Sequence, residues 1–184
     1  MYDVIVLGGG ISGLTAAISY SRTGKKVCVV ERDTKLGKKF LVTGNGRCNL
    51  SNISVNSDKY NTQKVQVVFN EVTKDNVKEF LNSLAIETYA DDEGRIYPIS
   101  NSAECVRQCF IKELERLAID TLTGEEVLSI SKTEYFNIKT TTHIINAKKC
   151  VVALGGGFDT SIFSDISLKF ISSGILASFQ LLIS

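Results

Sequence analysis

Residues 1–31 read MYDVIVLGGGISGLTAAISYSRTGKKVCVVE, and the fold is decided in this stretch. Two runs of β-branched apolar residues, YDVIVL at 2–7 and KVCVVE at 26–31, have the length and composition of buried parallel strands. Between them, ISGLTAAISYSRTG sets Leu14, Ala17, Ile18 and Ser21 at helical spacing, and Gly24 is placed to end the helix. Strand, helix and strand in this order predict a βαβ unit. Gly8, Gly10 and Gly13 form GxGxxG between the first strand and the helix. The first glycine allows a tight turn, the second lets backbone approach a pyrophosphate, and the third lets helix and strand pack closely. A phosphate then lies at the helix N-terminus, where unpaired N–H groups and the helix dipole favour an anion. Ser12 adds a hydroxyl or its own N–H there. Glu31 closes the second strand, where a carboxylate can accept hydrogen bonds from a ribose diol. A plain glycine-rich turn would explain the glycines alone, but the surrounding strand, helix and carboxylate favour a dinucleotide.

A second glycine-rich segment follows at 37–52, GKKFLVTGNGRCNLSN. Gly44 and Gly46 permit positive φ and Asn45 tolerates it. Consecutive N–H groups in such a loop make an anion-binding concavity. Thr43 supplies a hydroxyl, Arg47 a fixed-charge fork, and Asn49 both donor and acceptor. Lys38 and Lys39 add point charge, though they read equally well as a solvated surface pair. Asn45-Gly46 is also a hairpin signal. Because Arg47, Cys48 and Asn49 follow it instead of an alternating strand, the binding loop is the better reading. A simple nicotinamide dehydrogenase would continue into further βα units with a catalytic His or Tyr–Lys pair. This order, with a meander later in the chain, points to FAD, and both loops are expected to grip its diphosphate.

The rest of the chain frames these loops. Residues 50–63 are polar and read as loop; a helix is expected from Lys74 to Leu84 with Val77, Phe80, Leu81 and Leu84 on one face. IETYA and GRIYP read as strands around the Asp91–Gly94 turn, ending at Pro98. Asn101 and Glu104 resemble a capping box before the stripe Ala103, Val106, Phe110, Leu114 and Leu117, which reads as core packing. From Val127 the apolar period changes to two, predicting an antiparallel meander of two or three strands, then the run CVVAL and Gly155–Gly157.

Composition narrows the function classes. The 184 residues carry 43% apolar and 22% charged side chains, with a net charge of +1, which argues against a nucleic-acid partner. Five cysteines without a CxxC pair, and no signal sequence before the first strand, point to the cytoplasm. Cys105 and Cys109 read as a core-facing or reduced surface pair, and the single histidine, His143, as a residue on a strand surface. No metal site is expected. The most apolar segment, ILASFQLLIS, is too short for a membrane span.

GGGISG followed by GKKFLVTGNGRCNLSN closely resembles the BaiN/RdsA-type NAD(P)/FAD-dependent oxidoreductases, the HI0933-like flavoproteins, some of which are named 3-dehydro-bile acid Δ4,6-reductases. The resemblance runs through GRIYPISNSAECV to VVALGG. It implies an α/β, Rossmann-like FAD-binding domain over 1–157, a parallel sheet with a βαβ start plus an antiparallel meander. It also implies FAD held at its pyrophosphate by Gly8, Gly10, Ser12 and Gly13, and at its ribose by Glu31 with Arg32. Thr43, Gly44, Asn45, Gly46, Arg47, Cys48 and Asn49 would run along the pyrophosphate and flavin; Lys39 is a candidate by its charge alone and not through the resemblance. Val127 would offer backbone to the adenine, and Gly155 and Gly156 would let the returning strand approach. Cys48 reads better as a small buried residue than as a redox thiol. The implied reaction is reduction of the flavin by NAD(P)H and hydride transfer to a small substrate such as a conjugated enone. Residues 158–184 do not match the family pattern and read as the mark of a truncated or frameshifted chain. The alternative function is therefore a non-catalytic, nucleotide-binding remnant. A flavoprotein acting on RNA bases is a third reading, disfavoured by charge. No residue stands out as a general acid or base; Arg47 and Tyr97 merely lie in motif segments.

Overall fold

The computed structural model describes residues 1–60, 65–156, 159–163 and 181–183. In chain order its elements begin with β1 (Tyr2–Leu7), α1 (Ile11–Arg22), β2 (Val27–Glu31), β3 (Ser51–Asn52), α2 (Val65–Glu71) and α3 (Lys74–Ser83). They continue with β4 (Thr88–Ala90), β5 (Arg95–Pro98), α4 (Ala103–Arg116), β6 (Asp120–Thr123), β7 (Val127–Lys132), β8 (Phe136–Thr140), β9 (Ile144–Val152) and β10 (Leu181–Ile183). The chain forms two compact units, the first from Met1–Lys38 with the described residues from Leu114 onward, the second from Lys39–Glu113.

The first unit is built on one sheet in the order β6-β2-β1-β9-β8-β7, with β10 antiparallel on β9. β6, β2, β1 and β9 run parallel; β7, β8 and β9 form the expected antiparallel meander. The apolar runs of β1 and β2 pair from Val4↔Val27 to Leu7↔Val30. They are buried on both faces, as strands between two covering layers must be. One face carries Ile5, Leu7, Cys28 and Val30, which pack with Ile130, Phe136, Ile138 and Ile145 of the meander. Alternation sends Val4 and Val6 to the other face, where α1 lies with Leu14, Ala17 and Ile18 buried.

β9 differs from the expectation of a meander strand followed by a separate apolar run. It is one strand of nine residues. Ile144 to Ala147 pair with β8, and Ala147 to Val152 pair with β1. No glycine or proline interrupts INAKKCVV, so the extended backbone continues while its partner changes.

The tight end between β8 and β9 is organised by Glu125. Its carboxylate accepts from the Thr140 hydroxyl at 2.6 Å, the Thr142 N–H at 3.1 Å and the Thr142 hydroxyl, and lies 3.3 Å from His143 Nδ1. His143 therefore sits in this turn, just before the strand and not on it. The two threonine hydroxyls, then the Thr142 N–H and His143, hold the Glu125 carboxyl down to about 2 against its burial. A depressed carboxylate stabilises fully above its unfolded value of about 4.3, and the contribution is lost as pH falls through the folded value. Glu125→Gln should therefore lower the urea midpoint at pH 7, and the gap to wild type should close as pH is lowered from 4.5 towards 2. A gap constant with pH would contradict this.

In the second unit, β3, β5 and β4 form an antiparallel sheet in the order β3-β5-β4. Gly94 at φ 75 closes the expected turn, with Asp91 accepting from the N–H groups of Glu93 and Arg95. Part of the polar stretch expected as loop is ordered into β3 and a single turn at Ser57–Lys59. α3 starts at the expected residue behind a Thr73–Asn76 capping box. Leu81 and Leu84 are buried, but Val77 is 37% exposed and off the packed face. The cap of α4 is Ser102, whose Oγ accepts from the Cys105 N–H at 3.3 Å. Asn101 is instead left-handed at φ 47 and accepts from the Tyr89 hydroxyl at 2.6 Å, and Glu104 pairs with Arg107. The α4 stripe is buried at Ala103, Val106, Phe110 and Leu114, with Phe40 and Phe80 against Phe110, while Leu117 lies beyond the helix and is half-buried. Cys105 is exposed and Cys109 half-buried, and both are free thiols.

Candidate functional site

The three glycines of the fingerprint meet three different surroundings. Gly8 has φ +106, and a Cβ there would lie 2.3 Å from the Ala153 carbonyl oxygen, so β1 runs against the chain leaving β9 only because residue 8 has no side chain. A Cβ on Gly13 would lie 1.9 Å from the Gly8 oxygen, which sets the close approach of α1 to β1. Gly10 is the opposite case: it is extended at φ −76 and ψ 179, and a Cβ would meet nothing within 4 Å. Open space thus lies directly before α1, a helix whose N-cap, Gly10, has no side chain to cap it and which has no acidic residue in its first turn. That combination fits a pyrophosphate.

Gly9 belongs to the site and is missed by the GxGxxG spacing. Its N–H donates to Glu31 Oε2 at 2.6 Å, its carbonyl accepts from Gly37 at 2.8 Å, and a Cβ there would meet Leu36 Cδ2 at 2.4 Å. The Asp33 N–H donates to Glu31 Oε1 at 2.8 Å. Both carboxylate oxygens are thereby oriented by backbone, and each keeps lone-pair capacity for a ligand hydroxyl. The third consecutive glycine was the available signal, since the fingerprint accounts for only two of the three. Arg32 is exposed beside Glu31.

Gly155, at φ 84, and Gly156 follow the end of β9 next to β1, where the Ala153 N–H donates to Leu7 O at 2.7 Å. They therefore share the carboxyl end of the parallel strands with Gly8, Gly10, Ser12, Gly13 and Glu31. Here β1 has β2 on one side and β9 on the other, the switch point at which ligands bind in open α/β sheets. The chain at 124–125 also reaches this end: Gly124 donates to Asp33 O and Glu125 to Glu31 O, both at 3.0 Å. Val127 opens β7 two residues later. Lys38 is tied to Asp33 at 3.0 Å, and Gly157 lies outside the described residues.

The remaining predicted residues lie together in the second unit. Gly44, Asn45, Gly46 and Cys48 are left-handed, at φ 54, 55, 81 and 63. Such a run leads into β3 without a strand before it, so Asn45-Gly46 is not a hairpin turn. The Thr43 hydroxyl donates to Phe40 O at 2.7 Å, and the Cys48 N–H returns to Thr43 O at 3.1 Å. A Cβ on Gly44 would lie 2.6 Å from Asn49 N. Arg47 stacks on Tyr97, and Lys39, Asn45, Gly46 and Asn49 are exposed. Burial pushes the Cys48 thiol up, a thiol state and not the depressed thiolate of a reactive cysteine. Among the described residues, no three His, Cys, Asp or Glu side chains gather as metal ligands, and no helix is long and apolar enough to cross a membrane.

Comparison with known proteins gives the same fold. The chain is 32% identical over 171 residues to the 3-dehydro-bile acid delta(4,6)-reductase of Clostridium scindens, covering 90% of this chain and 42% of that protein. It is 25% identical over 159 residues to the ribosomal RNA dihydrouridine synthase of Escherichia coli, covering 84% of this chain and 40% of that one. The chain thus spans about two fifths of the length of these curated relatives. The structure of 3-ketosteroid-delta4-(5alpha)-dehydrogenase from Rhodococcus jostii RHA1 superposes with a TM-score of 0.62 at 14% identity, over 84% of this chain and 46% of that one. The HI0933-like protein Rossmann domain matches residues 2–167, so a Rossmann-like fold that holds the glycines and Glu31 at one end of its parallel strands goes together with membership of a family: the chain belongs to the HI0933-like proteins.

Proposed function

We propose that the chain binds FAD, and that residues 1–157 supply the cofactor-binding domain of an FAD-dependent oxidoreductase. The observation that carries this reading is Glu31: its carboxylate is held by the Gly9 and Asp33 N–H groups beside the open space at Gly10. A carboxylate so oriented accepts from the adenosine ribose, while the start of α1 faces the pyrophosphate with Gly8, Gly10, Ser12 and Gly13. Arg32 adds charge at the ribose, Val127 backbone at the adenine, and Gly155 and Gly156 close approach. Lys39 and Thr43 to Asn49 are proposed as further FAD ligands. When bound, the isoalloxazine ring supplies the hydride chemistry. The protein's part is to hold and orient it.

The proposed reaction takes electrons from NADH or NADPH and reduces a conjugated carbon–carbon double bond in a small molecule. Similarity to a bile-acid delta(4,6)-reductase supports that substrate class. Similarity to a ribosomal RNA dihydrouridine synthase favours RNA as the competing substrate, against the net charge of +1.

The experiment is a fluorescence titration of the purified chain with FAD, followed by anaerobic NADH or NADPH. One FAD per chain is expected. Glu31→Gln replaces one oxygen by an NH2 that opposes a backbone N–H, and should weaken FAD about tenfold. Failure of the wild-type chain to bind FAD would overturn the reading. Bound FAD that neither nicotinamide bleaches would favour the non-catalytic, nucleotide-binding alternative.

A further inference from the structure

We propose that Tyr97 is a positioning residue that presets the Arg47 guanidinium for an anionic group of the cofactor, an inference that rests on the FAD reading. Tyr97 is in β5 and 2% exposed, yet its ring touches both motif loop residues that need fixing. The Arg47 guanidinium carbon lies 4.3 Å from the centre of the ring, and Nη2 donates to the Tyr97 hydroxyl at 3.2 Å. A Cβ on Gly44 would lie 3.2 Å from Tyr97 Cε1, so the left-handed turn of the loop and the ring are fitted to one another. The ring is itself packed against Tyr89, its neighbour across β4 and β5, at 6.2 Å between centroids.

Arg47 remains exposed, and among the described residues of its unit it has no carboxylate partner. An exposed arginine normally samples many rotamers and loses that freedom on binding an anion. Here one face and one donor are already committed to Tyr97, which leaves the other guanidinium donors oriented and uncompensated. An anionic ligand would neutralise that charge. TGNGRCN contains the arginine and GRIYP the ring under it.

Two measurements test this. In the free chain, 15N NMR of arginine side chains should show slow rotation of the Arg47 guanidinium, which becomes fast in Tyr97→Phe with the unfolding midpoint unchanged. In FAD titrations, Tyr97→Phe should weaken binding about threefold through loss of the hydrogen bond, and Tyr97→Leu about tenfold through loss of the hydrogen bond and the stack together. In an Arg47→Met background, Tyr97→Leu should have no further effect, and both single variants should show a shallower salt dependence. Fast guanidinium rotation in the wild-type free chain, or additive losses in the double variant, overturns the inference. Absence of FAD binding by wild type with a slow Arg47 overturns the FAD reading while leaving the preset arginine in place.

Discussion

Gly8→Ala is expected to unfold the first unit and abolish FAD binding. The substituted residue would have to hold φ +106, and its methyl would lie 2.3 Å from a main-chain oxygen, that of Ala153. Neither group is the end of a flexible side chain, so relief requires β1 and the segment after β9 to separate. The cost is roughly 3–5 kcal/mol, a large part of the about 5–15 kcal/mol that holds a typical domain folded. Gly10→Ala is the matched control. Its φ of −76 suits alanine and nothing lies within 4 Å, so the melting temperature should stay near wild type. FAD should nevertheless bind at least about tenfold more weakly, because the added methyl occupies space that the proposed pyrophosphate contact needs. Circular-dichroism melts and FAD titrations of the two variants check both halves. A Gly8→Ala chain melting like wild type would refute the close approach of β1 to residue 153.

Phe136→Ala should be nearly as damaging, by a different route. Phe136 is 0% exposed in β8 and packs in the cluster that joins the meander to Ile5, Leu7, Cys28 and Val30. Emptying that site removes a ring from a buried apolar cluster and costs about 3–5 kcal/mol. The glycine loop itself is untouched, so any FAD that binds at low temperature should do so with near wild-type affinity. Urea unfolding at several temperatures separates the two effects. Loss of affinity without loss of stability would show that the meander acts on the site directly.

Much of this was legible in 31 residues. The parallel pair, the helix between them and Glu31 were readable because β-branched runs, helical spacing and glycine punctuation all state the same local structure. The left-handed run at 44–46 was readable too, since Gly and Asn rarely cluster for other reasons. What was not legible depends on partners distant in sequence. β9 changes partner mid-strand with no glycine or proline to mark the change, because pairing is decided by the edges it meets. Gly9 acquires its role from Leu36 and Glu31, and Tyr97 from Arg47 fifty residues earlier. Ser102 displaced Asn101 as the cap because the Tyr89 hydroxyl holds the asparagine side chain. The proposed substrate has no local signature at all: in the proposed reaction a bound flavin would supply the chemistry, so no nucleophile or metal motif would be required of the chain.

The long reach of β1 carries a cost during synthesis. Tyr2 pairs with Ala147 and Leu7 with Val152, so this edge of the first strand stays open until nearly the whole domain has left the ribosome. At about 5–20 residues per second the delay is of the order of ten seconds. Through that interval the apolar edge of YDVIVL is available to any neighbouring chain, an invitation to intermolecular pairing. Nascent-chain crowding and chaperone supply, more than the temperature of the finished protein, should then govern how much native material a cell recovers.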